Sequence, residues 1–590
     1  MIKELSEFGK PICEKKYGEW NHVTLKEEFV SIELVIDEKG NFCKFEPFEK
    51  KSTIAEALTS KKGKARLLLD KAEEVLCYGG EKSKKKHDLF LAKLETYREL
   101  PELTPVLAFY KRNKANGVEK ALRGFETAIP NEKNRRGNIG FRIQAEGVRI
   151  HEKPEVRRKV ISEYETIKKK ASKNKCSICS KNDYPVEDDP HGMIKKVPDG
   201  QSSGSALVSY NENAFESYRL KGNNNSAICA NCAKTYVEGL NWLLSSGNEI
   251  LVKNKKGKEK KEFRYTNRKK CGTDTAMVFW TRKNVKLDEI DYLEAPNPAD
   301  VTRLIESVTS GAERDSRYLE TDQFYSCTLS GSAARIAVRD WIETSLIDFR
   351  KSIAEWFKDI SIVEYDWDLE KRQTRYAALY TMARSCQKKN TSDGKYDKND
   401  TSLARVASHL WNAALKNTSP PWWILTKVLQ RARLDGVTAE RAALIKLILN
   451  RNNKGGDFVI TDNIIQDNEP TACIYGRIFA KMESIQYAAL GDRNAGIRER
   501  YFTYAMTSPA SAFGRLFDLS SKHYKKLKSD KPGLAIKLDK ELGELIKHVE
   551  INSFPATFSL VQQGQFAIGY YKQRQLQFDD AKSKANKEEE

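Results

Sequence analysis

The hydrophobic pattern changes character once along this chain, near residue 365, and that change bounds the possible folds more tightly than any other feature. Before it, short β-branched and aromatic runs alternate with helical periodicity; after it, strand patterns nearly vanish. Phe29 to Ile36 reads as a strand, Asp37-Glu38-Lys39-Gly40-Asn41 as a turn and Phe42 to Phe45 as the returning strand of a hairpin. Residues 85–112 place Leu89, Leu91, Leu94 and Tyr97 on one side of a helix. Ile139 to Ile143 and Val148 to Ile150 predict a second strand pair, broken at Gly147, before a basic helix over about 155–175. Ala276 to Trp280 predicts a buried strand. Ser332 is expected to cap a long amphipathic helix that turns Val338, Trp341, Leu346, Phe349, Ile353 and Trp356 inward. Helical stretches then follow at about 402–416, 422–434, 438–450, 473–490, 508–527 and 536–549.

The expected fold class is therefore α+β: a mixed N-terminal body over 1–364, then a helical bundle over 365–590. The nearly all-charged segment 579–590 is expected to be disordered. At 590 residues the chain exceeds one compact core, and no apolar run approaches the roughly 20 residues needed to cross a bilayer. Its start, with acidic residues and no apolar core, does not read as a signal peptide, so a cytoplasmic protein is expected, with no membrane partner.

The cysteines sort into two kinds. Cys13, Cys43, Cys77, Cys271, Cys327, Cys386 and Cys473 are scattered singly and read as small buried hydrophobes. Cys176-Ser177-Ile178-Cys179 and Cys229-Ala230-Asn231-Cys232 form two CxxC knuckles separated by 49 residues. A two-residue spacer lets both thiolates of a knuckle face one ion, and two knuckles supply the four soft ligands of a closed tetrahedral zinc site. Such a site has no open coordination position, so the expected zinc is structural, in an insertion spanning 176–232.

Lys and Arg total 102 against 82 Asp and Glu, a net charge of +20, which favours polyanions as partners. The excess is clustered: Lys253 to Lys270 holds ten basic residues against Glu259 and Glu262, interleaved with Phe263 and Tyr265. Cations for phosphates and rings for stacking suit nucleic acid, and the candidate contacts are Lys255, Lys256, Lys258, Arg264, Arg268, Lys269 and Lys270. A flexible basic hairpin without a fixed partner fits the same residues. Between the knuckles, Gly200-Gln201-Ser202-Ser203-Gly204-Ser205 combines small residues that admit close backbone approach with a glutamine able to pair with a base edge. A tight loop, a strand and a helix capped by Asn211 or Asn213 fit equally well. Catalytic signals are weak. His87-Asp88 sits in a charge run, and Glu187, Asp188, Asp189 and His191 read as a solvated acidic turn. No P-loop or HExxH is present, and a noncatalytic protein is expected.

Gln201 through Tyr218 closely resembles the signature segment of the type I-C CRISPR Cascade large-subunit family. Glu33–Gly40, Asn138–Arg142, Asp274–Trp280, Ser332–Arg339, Asn494–Phe502, Phe554–Phe558 and Gln562–Gln573 resemble it in the same order. The resemblance implies a DNA-binding scaffold in a crRNA-guided surveillance complex. Such a subunit reads a PAM duplex, helps open the R-loop, guides the displaced strand and docks a helicase-nuclease. It also implies, as partners, crRNA-bound backbone subunits and a subunit capping the guide's 5′ end. A small subunit made from the same gene would correspond to about 475–578, starting at Met482 or a little upstream near Tyr475. Two rival expectations are a zinc-dependent nucleic-acid-modifying enzyme, for which the HxE–PCxxC signature is absent, and a general RNA-binding scaffold.

Overall fold

The computed structural model describes all residues except 56–65, 171–172, 182–183, 186–189, 254–258, 272–273, 311–321, 390–395, 398–399, 401, 454–457, 467, 492–494, 550–553 and 589–590. It is a mixed α+β protein with a helical C-terminal region, as the pattern change near 365 predicts. The compact units, however, do not divide at 364. Met1–Asn267 with Gly331–Ala337 forms one, and Arg268–Ser330 with Val338–Glu590 the other.

In the first unit, strands Leu25–Ile36 and Phe42–Ala55 make the expected antiparallel hairpin. Its turn is fixed by Asp37, whose carboxylate accepts from Asn41 N at 2.7 Å and Lys39 N at 3.0 Å, and by Gly40 at φ 82°. Strand Asn138–Ile143 pairs in parallel with Leu25–Ile36 and antiparallel with Leu69–Lys71, completing a four-stranded sheet. Residues 148–150 do not form the expected partner strand. Only Arg142 and Arg149 bridge, and Ile150 enters a 3-10 turn. The reason is a neighbour unseen in local sequence: Leu69–Lys71 takes Asn138–Gly140 of that edge, leaving only the Arg142–Arg149 bridge beyond it. The 85–112 helix is interrupted: Glu81–Glu95 ends, Pro101 starts a 3-10 turn, and Thr104–Tyr110 resumes. Phe90, Leu94, Phe109, Phe125 and Phe141 fill the core against the sheet.

A second assembly in this unit pairs the N-terminal helix Ile2–Tyr17 with Ala230–Ser245. A Cβ on Gly9 would lie 1.9 Å from Thr235 O, and one on Gly239 would lie 2.9 Å from Leu5 O, so only glycine permits the approach. Ser6 and Thr235 hydroxyls bond inside the contact at 2.7 Å, and Tyr17 donates to Glu238 at 2.7 Å.

The second unit opens on a sheet ordered Arg335–Ser345, Gln323–Ser332, Thr275–Thr281, Arg268–Lys270. The expected strand at Ala276–Trp280 is present and buried. The helix expected to start at Ser332 starts instead at Leu346, capped by Ser345 accepting from Asp348 N. Residues 335–345 are strand, with Val338 exposed, because the chain turns back at Ala333, in the left-handed region at φ 52°, and pairs as the sheet's edge with Gln323–Ser332. Phe349, Ile353 and Trp356 do face inward, and Phe349 stacks on Phe324 at 4.1 Å.

The helices that follow share one apolar core with that sheet. Expected helices appear as Ser402–Lys416, Trp422–Asp435, Ala439–Asn452, Thr471–Leu490, Pro509–Asp530 and Pro532–Ile546. Ile497–Thr507 and Leu560–Glu588 are added, and the latter takes in most of the segment expected to be disordered. Ala, Lys and Glu there are strong helix formers, and no Gly or Pro interrupts them. Gly476 and Gly569 let helices Thr471–Leu490 and Leu560–Glu588 touch backbone to backbone: a Cβ on either would sit 2.0 Å from a carbonyl oxygen of the other helix.

This core also buries cations. Lys446 donates to Ser361 O at 2.7 Å, Ser361 Oγ at 2.9 Å and Lys358 O at 3.1 Å, and desolvation lowers its pKa to about 8. Arg441 donates to Gly436 O at 2.6 Å and Ser385 O at 3.2 Å, and Arg451 to Ala413 O at 2.5 Å and Thr418 O at 2.9 Å. Each satisfies carbonyls at or just beyond a helix C-terminus that lies inside the bundle, where water cannot.

Candidate metal centre and nucleic-acid interface

The two knuckles meet. Cys176, Cys179, Cys229 and Cys232 bring their sulfurs within 4.8 Å of one another, with Cys179 Sγ and Cys229 Sγ 3.9 Å apart. A tetrahedron of sulfurs at ~2.3 Å from an ion has edges of roughly 3.8 Å, so the set fits one metal ion. Cys229 is the N-cap of the helix anchored to Ile2–Tyr17, and its sulfur accepts from Cys232 N at 3.5 Å. Cys176 Sγ accepts from Ile178 N and Cys229 N, both at 3.4 Å. Such N–H···S bonds favour thiolate. The hydrogen bond from the Cys232 thiol holds Cys229 down to about 5, and that same bond raises Cys232. By contrast burial pushes Cys13 up to about 11 and Cys271, Cys327, Cys386 and Cys473 up to about 12, the behaviour of inert core thiols. Cys43 and Cys77, also expected to be buried, are only half-buried.

Downstream of the first knuckle, the chain presents Gln201, Ser202 and Ser203 at an exposed turn closed by Gly204 N donating to Gln201 O at 2.9 Å. Beneath it Ser205 is fully buried; its Oγ accepts from Gln201 N at 3.1 Å and donates to Ala333 O at 3.0 Å. Gly331 N donates to Pro198 O, Ala206 N to Ala334 O and Ile336 N to Ala206 O, zipping 198–206 onto 331–336. A Cβ on Gly331 would lie 2.2 Å from Gly200 N. Arg335 extends the same spine, its guanidinium 4.1 Å from the Phe215 ring and bonded to Asn211 Oδ1 at 2.5 Å. The alternative of a strand and a capped helix does not form: 206–210 makes single bridges only, and Asn213–Phe215 is a 3-10 turn with no side-chain cap. Two segments far apart in sequence, 198–215 and 331–336, are thus brought together. Nothing local in the sequence reveals the pairing, although Gly331 beside small residues is its one visible trace.

The basic stretch is split by the division between units. Strands Gly247–Lys253 and Glu259–Tyr265 form a solvent-exposed ribbon with Arg264 and Phe263 on its surface, while Arg268–Lys270 is an edge strand of the other sheet. Lys255, Lys256 and Lys258 lie outside the described residues. Arg268 is half-buried and Lys270 exposed. Lys269 is not at the surface: it is 5% exposed and bonded to Asp291 and Glu294, each at 2.7 Å. Its alternate position in the strand points it inward, where it needs those carboxylates. Glu187, Asp188 and Asp189 also lie outside the described residues, and His191 bonds Tyr236 Oη at 2.8 Å and Asn223 Oδ1 at 3.2 Å. His87 donates to Glu74 O at 2.6 Å, a packing role. Among the described residues, no helix is long and apolar enough to cross a membrane.

A four-cysteine cluster able to hold one metal ion thus sits in a loop-rich part of the α+β body, with a helical region following. The model of the CRISPR-associated protein (Cas_Csd1) family matches residues 12–578, and the chain belongs to that family. A search of the curated proteins finds no match.

Proposed function

We propose that this chain is the noncatalytic large subunit of a type I-C Cascade, working in the cytoplasm with crRNA-bound backbone subunits, a 5′-end-capping subunit and target double-stranded DNA. In this reading it recognises the PAM, promotes strand exchange and guides the displaced strand to a recruited helicase-nuclease. Strand exchange is near energetic balance, so PAM contacts and cations on the DNA backbone suffice to tip it. One observation carries the reading. Gln201, Ser202 and Ser203 stand exposed on a turn whose root is clamped by buried Ser205, a rigid mount for polar groups aimed at base edges. The ion of the sulfur cluster is proposed to be zinc, held by all four cysteines and structural. With no coordination position left, a zinc-dependent enzyme is disfavoured.

The separately made small subunit needs an adjusted start. Cys473 and Gly476 form the close crossing with Phe566 and Gly569, so a product beginning at Met482 would lack it. A start upstream of Thr471 keeps the whole helix.

The test is binding by the assembled complex to duplexes randomised at the PAM. Changing Gln201, Ser202 and Ser203 together to Ala should cost about 1–3 kcal/mol of discrimination between PAM letters, with the complex still assembled. An unchanged PAM preference would remove the assignment.

A further inference from the structure

Between the Gln201 turn and the second knuckle lies a second projecting turn. Leu220 N donates to Ser217 O at 2.8 Å, and both central residues are left-handed, Tyr218 at φ 52° and Arg219 at φ 64°. That pattern belongs to turns normally built from Asn and Gly, because a Cβ disfavours it. Here the positions hold a large ring and a guanidinium. Tyr218 is 95% exposed, and among the described residues no hydrogen bond or ion pair engages its hydroxyl or the Arg219 guanidinium. The turn's root, in contrast, is heavily tied. Asn225 Oδ1 accepts from Ser217 N at 3.0 Å while its Nδ2 donates to Leu220 O at 2.9 Å and Gly222 O at 3.0 Å. Buried Asn223 donates to Ile228 O at 2.8 Å, and Ser177 N donates to Ala227 O at 2.8 Å, so the first knuckle holds the base of this loop. Phe215, three residues before the ring, is held under Arg335 on the spine that also carries the Gln201 turn.

A strained turn clamped from beneath, presenting an aromatic and a cation to solvent, has the parts of a stacking platform: a π-face for a base and a charge for the adjoining phosphate. Lys221 follows, and the carboxylate in the turn's flank, Glu216, is engaged by Gly222 N at 3.3 Å. The charge thus suits nucleic acid and not a basic protein. We propose that Tyr218 and Arg219 form a base-stacking finger that engages an unpaired nucleobase and its phosphate where the duplex opens. The proposal rests on the nucleic-acid reading above and names a different contact, one that senses unpaired bases and not PAM letters.

The test uses the full-length chain, a fully paired duplex and the same duplex with a central bubble. Glycine adopts left-handed φ freely, so Tyr218→Gly removes the ring while relaxing the turn. The expected result is a melting temperature unchanged or raised, a loss of about tenfold in affinity for the bubble, and little change on the paired duplex. Tyr218→Phe should bind as the parent does. Arg219→Gly should flatten the salt slope on the bubble by roughly 0.7. Parent-like bubble binding by Tyr218→Gly overturns the finger while leaving the broader reading standing. A parent chain that binds neither DNA removes both. If Tyr218→Gly keeps its DNA affinity but fails to enter the complex, the turn is a protein-docking element and the proposal falls.

Discussion

Residues 176–232 of the first unit and the helical second unit are held by opposite means. Around residues 176–232 the first unit has few apolar side chains, and its loops are fixed by a sulfur cluster, buried hydroxyls and backbone bonds to residues 331–336. The second unit has one continuous apolar core from Cys271 to Tyr571, and its buried Lys446, Arg441 and Arg451 serve to finish helix ends. Loops tied by point cross-links leave polar tips facing outward, whereas a region stabilised by core packing turns its chemistry inward. The candidate recognition residues therefore sit where the core is thinnest.

The sharpest way to break this contrast is to remove the cross-link. Cys176→Ser with Cys229→Ser should release about one equivalent of zinc, which is worth on the order of 10 kcal/mol in small peptides. Hydrogen exchange should rise across 176–232 and stay unchanged across 402–571. Metal analysis well below one equivalent in the parent protein would refute the assignment. The mirror experiment strikes the second unit. Gly569→Val places a branched side chain against the Cys473 carbonyl and should cost about 3 kcal/mol or more, because backbone cannot yield as a side chain can. Thermal unfolding should show the loss, while metal content stays at the parent level. The smallest effect separates two neighbouring cations. Lys269→Ala should destabilise by about 1 kcal/mol or less, since Asp291 and Glu294 lose this cation but keep contact with water, without altering the salt dependence of DNA binding. Arg264→Ala with Lys270→Ala should do the reverse, flattening the slope of log K against log salt by roughly 0.9 for each phosphate no longer neutralised. Equal slopes in both variants would make the ribbon a solvated face.

What the sequence reveals follows from the range of the forces involved. The knuckles are legible because metal geometry imposes a two-residue spacing, and most helices of the second unit because burial imposes a 3.6-residue period. Lys269 and Arg264 carry the same charge in the same run, and only the strand's alternation, known once its register is known, sends one inward. The strand at Arg335–Ser345 is obscured because Ala333, Ala334 and Ala337 also suit a helix, whereas Ala333-Ala334 in fact turn the chain back beside Gln323–Ser332. The spine under the Gln201 turn pairs residues more than a hundred positions apart, beyond any local pattern.

Residues 331–337 return to the first unit after the chain has already entered the second. The protein is consequently not modular in the way a linear domain map implies. A polypeptide cut at Asn267 would carry every residue of the Gln201 turn and none of the 331–337 backbone that Ser205, Ala206 and Pro198 bond to, so supplying 331–337 in trans, or by circular permutation, is the route to an isolated reader. Inheritance has the same constraint: exchange of the helical half between related genes preserves the recognition loops only if the crossover falls after Ala337.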